Sequence, residues 1–468
     1  MHSGGEHRHQ ATAAPPSLSA NVLRDWRHRP TQRRVWALAL PMIVSNLSVP
    51  LVTLVDSVVA GHLPQARQLA AVVVGSAVYT LLVWVCGFLR MGTTGFAAQA
   101  AGRGDGGILR RVLLQSLLLA MALAVILGAL AVPLLPAVLD VMRPSTVLDA
   151  LAMGYLHVRL LGLPAALTSY ALIGWFLGVQ NARVALGVLL TTNLANVALN
   201  LLFVLGFGWG VNGIAWASVC GEWCGVLFGL ACAWRELRRY PEPMDRRDLR
   251  RWLHWRPLLM VNRDIFARSM ALQGVFFAVT ALGTRLGDAV VAANALLLNG
   301  LMLTAFALDG LANAVEALSG HAIGARDGDA LRRALTVAGG WSLLGSVAFA
   351  IAFALGGHVF VNLQSDIAEV RRIAYIYVPY LAVLPLVAVW SYLLDGLFIG
   401  ATRAREMRDS MLVGAVCFAL LAWLLRPLGN HGLWLALLGF MIVRAGGMGL
   451  LAYRISRRGR WIPTAALP

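Results

Sequence analysis

The sequence predicts an all-α polytopic membrane protein, twelve transmembrane helices in two pseudo-symmetric six-helix lobes, and three observations predict it. Of 468 residues, 59% are hydrophobic and only 13% are charged, about half the charged share of an ordinary soluble domain. Apolar runs of about 20 residues, enough to cross a bilayer as a helix, recur from end to end. Two separated stretches of the first half reappear in the second half in a single register. The short alternating segments of a membrane β-barrel are absent from the pattern.

Residues 1–34 are polar, with His, Arg and Pro but no apolar core. They are no signal peptide and read as a disordered cytoplasmic tail. The spans then follow at about 35–62, 68–99, 112–139, 147–179, 184–206 and 212–234, which make the first lobe, 35–234. The most polar internal stretch, 235–256, carries two prolines and dense charge and reads as a cytoplasmic basic linker. The second lobe, 257–455, holds spans at about 257–285, 288–321, 334–357, 370–400, 409–425 and 431–453, and 456–468 form a cytoplasmic tail.

The lobes are duplicates. Gln99–Leu113 reads QAAGRGDGGILRRVL and His321–Leu335 reads HAIGARDGDALRRAL, so that Asp105, Arg110 and Arg111 match Asp327, Arg332 and Arg333. In the same register Gly174, Phe176, Gly178, Ala182 and Arg183 match Gly396, Phe398, Gly400, Ala404 and Arg405. An even number of spans per repeat gives parallel topology, with an axis along the membrane normal and a substrate site between rocking lobes.

Charge placement sets orientation. The chain has no Lys, and 28 of its 39 basic residues fall in the termini and the loops proposed to share their side, against six in the opposite loops. This places both termini in the cytoplasm of a bacterial inner membrane. The net charge of +17 is thus topological and does not mark a nucleic-acid partner. Five cysteines sit inside apolar segments without metal-ligand spacing, so no metal or other cofactor is expected. Gly102–Gly107 resembles a phosphate loop, but no strand precedes it and no Lys follows. ATP-driven pumping and enzymatic activity are both disfavoured.

What remains is a set of ionisable groups at membrane depth, where an unpaired charge is costly. Asp56 lies in the apolar run Leu40–Leu63, six residues after Pro50, and is the leading candidate for binding a proton or cation. Asn196 and Asn200 share a face of the fifth span, and Asp309, Asn313 and Glu316 share a face of the eighth. The last three, with Asp395, are candidates for a polar cavity in the second lobe. Arg90, Glu222, Arg263 and Asp264 are candidates for buried ion pairs, and Arg159, Arg268 and Arg444 are further bases inside spans.

These stretches together resemble the MATE multidrug efflux transporters, and within them the DinF-like subfamily. The resemblance rests on LALPMIVSNLSVPLVTLVDSVVAGHL, FLRMGTTGFAAQAAG, NRDIFARS, LDGLANAVEALSGHAIG and SYLLDGLFIGATRAREMRDSM, and covers residues 35–455. It implies export of organic, often cationic, compounds by alternating access in exchange for H⁺ or, less favoured, Na⁺. It implies that Asp56 couples the proton, and that Asn196 and Asn200 map onto an Asn and an Asp of the family. Ser218 in the sixth span is a further candidate, supplying a hydroxyl to that cluster. Because Asn200 is an amide here, Asp56 is expected to be the sole acid of its cluster. Small organic molecules and the bilayer are the expected partners, with the chain acting as a monomer. The rival reading is a flippase for a lipid-linked precursor, which shares the two-lobed plan.

Overall fold

The structure, a computed structural model, describes residues 18–61, 65–142 and 146–462, without the side chains of 18–21, 49–60, 141–142 and 246. The described residues are helical with no strand. The first half holds α1 (Leu18–Trp26), α2 (Arg29–Gly61), α3 (Ala66–Trp84), α4 (Phe88–Arg103), α5 (Gly106–Met142), α6 (Thr146–Leu160), α7 (Leu163–Gly178), α8 (Ala182–Asn200) and α9 (Gly210–Leu237). The second holds α10 (Trp252–Thr284), α11 (Asp288–Gly324), α12 (Gly328–Asn362), α13 (Ala368–Gly400), α14 (Ala404–Leu424) and α15 (Asn430–Arg457).

Among the described residues ten helical stretches are long and apolar enough to cross a membrane, or eleven when the bent pair α6–α7 is one span. The chain is a multi-pass membrane protein. The span expected over 147–179 is broken, with α6 and α7 meeting at 46°. Gly162 and Pro164 sit at the break, and Pro164 lacks the N–H that a continuous helix would need. The span expected over 184–206 leaves α-helical geometry after Asn200 and finishes in a π-helical turn, Leu201–Gly206. Within the segment read as a tail, residues 18–26 form α1 and Arg29 opens α2.

The duplication is visible in the backbone. Gly104 (φ +71°) and Arg326 (φ +56°) occupy equivalent turns, as do Gln180 (φ +61°) and Thr402 (φ +55°). A non-glycine residue pays about 1–2 kcal/mol for this left-handed conformation, so the turns are kept because the packing demands them. The carboxylates just after the first pair cap the following helices alike: Asp105 Oδ1 accepts from Ile108 N and Asp327 Oδ1 from Ala330 N, each at 2.8 Å.

The repeated arginines hold the segments that lead into α10 and α2. Arg110 donates to the carbonyls of Leu237 and Tyr240 at 2.8 Å, and Arg111 pairs with Asp248 at 2.9 Å, fixing the linker on α5. The equivalent Arg332 donates to buried Asp25 at 2.7 Å and fixes α1 on α12. The ring of Trp26 then lies against Trp341, 5.6 Å between centroids. One lead-in segment therefore straps the first half, and the other crosses from the first half to the second.

The two halves meet from mid-helix down to the ends that carry the straps. Asn46 donates to Phe306 O at 3.1 Å, and Gln99 to Gly400 O at 2.9 Å. Gly95 lets α4 approach α13, since a Cβ there would strike the Ile399 carbonyl. One apolar core, including Leu38, Ala97, Trp175, Leu308, Ala317 and Val337, runs through this contact from both halves. Helix α2 packs against α8 of its own half and α11 of the other, so it is placed to couple them mechanically.

Candidate functional site

The side chain of Asp56 lies outside the described residues, as does that of Pro50; the backbone of both is in α2. Its expected neighbours are described and do come together. Asn196 Nδ2 donates to Ser218 Oγ at 3.0 Å, and Asn200 Nδ2 to Asn196 Oδ1 at 3.1 Å. All three are buried, and Ser218 Oγ passes its own hydrogen to Ile214 O at 3.1 Å. The i, i+4 spacing puts both amides on one face of α8, and Asn200 ends that helix where the π-helical turn starts. Turns of this kind recur where a helix must reorient a group for function. The cluster is uncharged, so it can orient a proton-bearing group and adds no fixed charge of its own.

One turn along α9 from Ser218, Glu222 forms a second cluster. Arg159 Nη2 donates to Glu222 Oε1 at 2.9 Å, and the Tyr79 hydroxyl lies 3.3 Å from Oε2. The guanidinium carbon of Arg159 sits 3.8 Å from the Tyr79 ring centroid. Gly162 at the α6–α7 break makes room for this carboxylate, because a Cβ there would overlap Glu222 Oε2. The pairing ties the broken span to α9. Sequence reasoning marked Arg159 and Glu222 as buried but not as partners, and it missed Tyr79, an apparently ordinary aromatic in an apolar run.

The third cluster joins the halves. Arg90 on α4 donates to Asn313 Oδ1 at 2.7 Å and lies 3.8 Å from Glu316 Oε2, both on α11. Asn313 Nδ2 in turn reaches Asp309 Oδ2 at 3.5 Å. Glu316 is buried, with Oε1 lacking a hydrogen-bond partner among the described residues, whereas Asp309 is half-buried. The expected polar face of the eighth span therefore exists, and it points at the other half of the chain.

Asp395 is placed differently from the other three cavity candidates. Arg268 of α10 and Arg444 of α15 both donate to its Oδ2, and all three residues are buried. It is a two-arginine clamp inside the second half. Arg263 also differs from expectation: 63% of its side chain is exposed, so it is no buried partner. Adjacent helical residues diverge by about 100°, so Asp264 can be buried only with Arg263 turned outward. Arg263 folds back to Asp264 at 2.9 Å, and the other partner of Asp264 is Arg408, at 2.8 Å, from a stretch read as a loop. Among the described residues no group of His, Cys, Asp and Glu could hold a metal ion.

The comparisons with known proteins agree with this duplicated arrangement. The MatE family model matches the chain twice, over residues 41–202 and 265–428. The chain belongs to the MatE family. It is 41% identical over 92% of its length to DNA damage-inducible protein F of Escherichia coli, 94% of which is covered, so it is DinF-like within the family. It is also 29% identical over 96% of its length to the probable multidrug resistance protein NorM of Xanthomonas axonopodis, 98% of which is covered. Among solved structures, an outward-facing MATE family multidrug resistance transporter superposes with a TM-score of 0.81 at 20% identity, covering 95% of this MatE chain and 99% of that one. At that identity the likeness bears on the fold alone.

Proposed function

We propose that this MatE-family chain is a secondary antiporter that exports organic, amphipathic and often cationic compounds across the bacterial inner membrane in exchange for protons. The reading takes twelve spans in two six-helix lobes, counting α2 and the bent α6–α7 pair beside the ten unbroken stretches. Both termini are cytoplasmic, following the arginine bias. Relatives named for multidrug resistance support the substrate class.

The observation that carries the coupling proposal is the buried Asn196–Asn200–Ser218 cluster on the helices α8 and α9, with α2 packed along α8. It offers hydrogen-bond partners without charge to an acid on α2, and Asp56 is the only acid that α2 has. Charge pairing favours a proton over sodium. The buried carboxylates Glu222, Glu316 and Asp395 each face an arginine already, and Asp395 faces two. With those acids already paired, Asp56 is the acid that α2 has left to take up a cation, and a buried carboxylate loses its charge most simply by binding a proton. Protonation of Asp56 removes its charge, lets α2 bend at Pro50, and shifts the contact of α2 with α11. The lobes joined at their cytoplasmic ends correspond to an outward-facing state. Uptake of a cationic dye into energised inverted membrane vesicles, whose lumen corresponds to the periplasm, tests this. Transport collapses when a K⁺/H⁺ exchanger dissipates the pH gradient and is indifferent to Na⁺; the opposite pattern overturns proton coupling.

A further inference from the structure

The last span ends in an arginine cluster, Arg454, Arg457, Arg458 and Arg460. Several loop guanidinia are spent on the protein itself, as Arg110 is on carbonyls, Arg111 on Asp248, Arg332 on Asp25 and Arg408 on Asp264. Among the described residues, Arg454, Arg457, Arg458 and Arg460 have no carboxylate within ion-pair distance. They leave the end of α15 with a concentrated positive charge.

The cluster also has fixed walls. Gly459 (φ +60°) turns the chain back after α15, with Arg460 N bonded to Ile455 O at 3.1 Å. Arg403 from the start of α14 clasps the turn, donating to Arg460 O and to Glu406 Oε1, each at 2.9 Å. Trp461 then packs on Phe398, 5.6 Å between ring centroids. The result is a groove of about 390 Å³ between α14 and α15, lined by Arg403, Arg454, Arg458 and Arg460 with Glu406 as its single acid. A second groove shares Arg454 and Arg458, adds Arg457, and is bordered by Leu450 and Tyr453, which are 50% and 58% exposed.

We infer that these joined grooves bind the headgroup of an anionic phospholipid, with its phosphodiester on Arg454, Arg457 and Arg458 and its acyl chains along Leu450 and Tyr453. Clustered arginines just beyond a membrane helix attract anionic lipid through charge, and guanidinium forks match phosphate oxygens in pairs. The exposed apolar border is what distinguishes a lipid from a free anion, which has no use for it. Such a lipid would sit against α14 and α15, which the carboxylate clamp of Asp395 and the Arg408–Asp264 pair tie to α10 and α13.

The test is titration of the purified full chain in neutral detergent with dihexanoyl-phosphatidylglycerol, read by native mass spectrometry. Dihexanoyl-phosphatidylcholine and inorganic phosphate serve as parallel probes. Phosphatidylglycerol is expected to saturate one site, with the other two probes at least about ten-fold weaker. The triple variant Arg454→Gln, Arg457→Gln, Arg458→Gln is expected to lose affinity more than about ten-fold. A charge-matched control, Arg33→Gln, Arg183→Gln, Arg238→Gln, keeps it. Undiminished binding by the first triple, equal loss in both triples, or equal binding of phosphatidylcholine overturns the site. Inorganic phosphate competing at the same concentration overturns the lipid and leaves a free-anion site.

Discussion

Arg90 offers a direct handle on the closed end of the molecule, because its guanidinium belongs to one half and both of its partners to the other. Replacing it with Ala removes a hydrogen bond of 2.7 Å to Asn313 and strands Glu316, whose side chain is only 2% exposed, without its counter-ion at 3.8 Å. A charge-assisted hydrogen bond is worth about 1.5–3 kcal/mol. The 3.8 Å separation puts the ion pair at the weak end of buried pairs, whose loss costs about 3–5 kcal/mol, and the two terms overlap. We therefore expect about 2–3 kcal/mol lost from the state in which α4 and α11 touch, a shift of about 30- to 150-fold in the balance of conformers. Spin labels at Arg183→Cys and Arg405→Cys, exposed and repeat-equivalent, report the distance between halves once the native cysteines are replaced. Arg90→Ala should convert a dominant short distance into a longer one. An unchanged distribution would refute the view that this bridge holds the halves together.

Other perturbations follow from the same geometry. Arg159→Met or Glu222→Gln alone should cost about 3–5 kcal/mol of thermal stability, since each leaves a buried charge unpaired, while the double variant Arg159→Met, Glu222→Leu recovers more than half; additive loss in a denaturation series would contradict the pairing. Asp395→Asn leaves Arg268 and Arg444 facing each other without an anion, so folded yield should fall sharply and return in part with Arg444→Leu added. Wild-type yield for Asp395→Asn would count against the clamp. Asp25→Asn should cost less than about 1 kcal/mol, because Arg332 is 53% exposed. It should nonetheless speed tryptic cleavage at Arg24 and Arg27, and an unchanged cleavage rate would mean that Arg332 does not hold α1.

The duplication was legible because its turns are built from residues with fixed conformational duties. Asp105 and Asp327 cap, Gly104 and Arg326 turn, and Arg110 and Arg332 reach for whatever leads into the next lobe, so one register exposes them all. The Asn196–Asn200–Ser218 cluster was readable because helical spacing puts both amides on one face, and Ser218 is a hydroxyl within the next apolar span. Partners distant in sequence were not readable. Asp395 finds Arg268 across 127 positions and Arg444 across 49, and burial alone says that each needs a partner without saying which. Arg408 lay in a stretch that looked like a loop because three arginines crowd it, yet α14 begins at Ala404 and carries it inward. The break in the fourth span had a signal, Gly162 followed by Pro164, that length and hydropathy outweighed. Helix α1 gave little warning, since only nine residues form it and its hold comes from Arg332 and Trp341 of the other half.

The central claim is that coupling rests on Asp56 supported by an uncharged amide cluster. It is tested most directly by proton flux in proteoliposomes holding the purified chain, with substrate added on one side and an internal pH dye as the readout. Wild-type protein is predicted to move protons in the direction opposite to substrate, in a ratio unaffected by Na⁺. Asp56→Asn is predicted to reconstitute equally well and move none. Substrate-driven proton flux at the wild-type rate in Asp56→Asn would contradict the account.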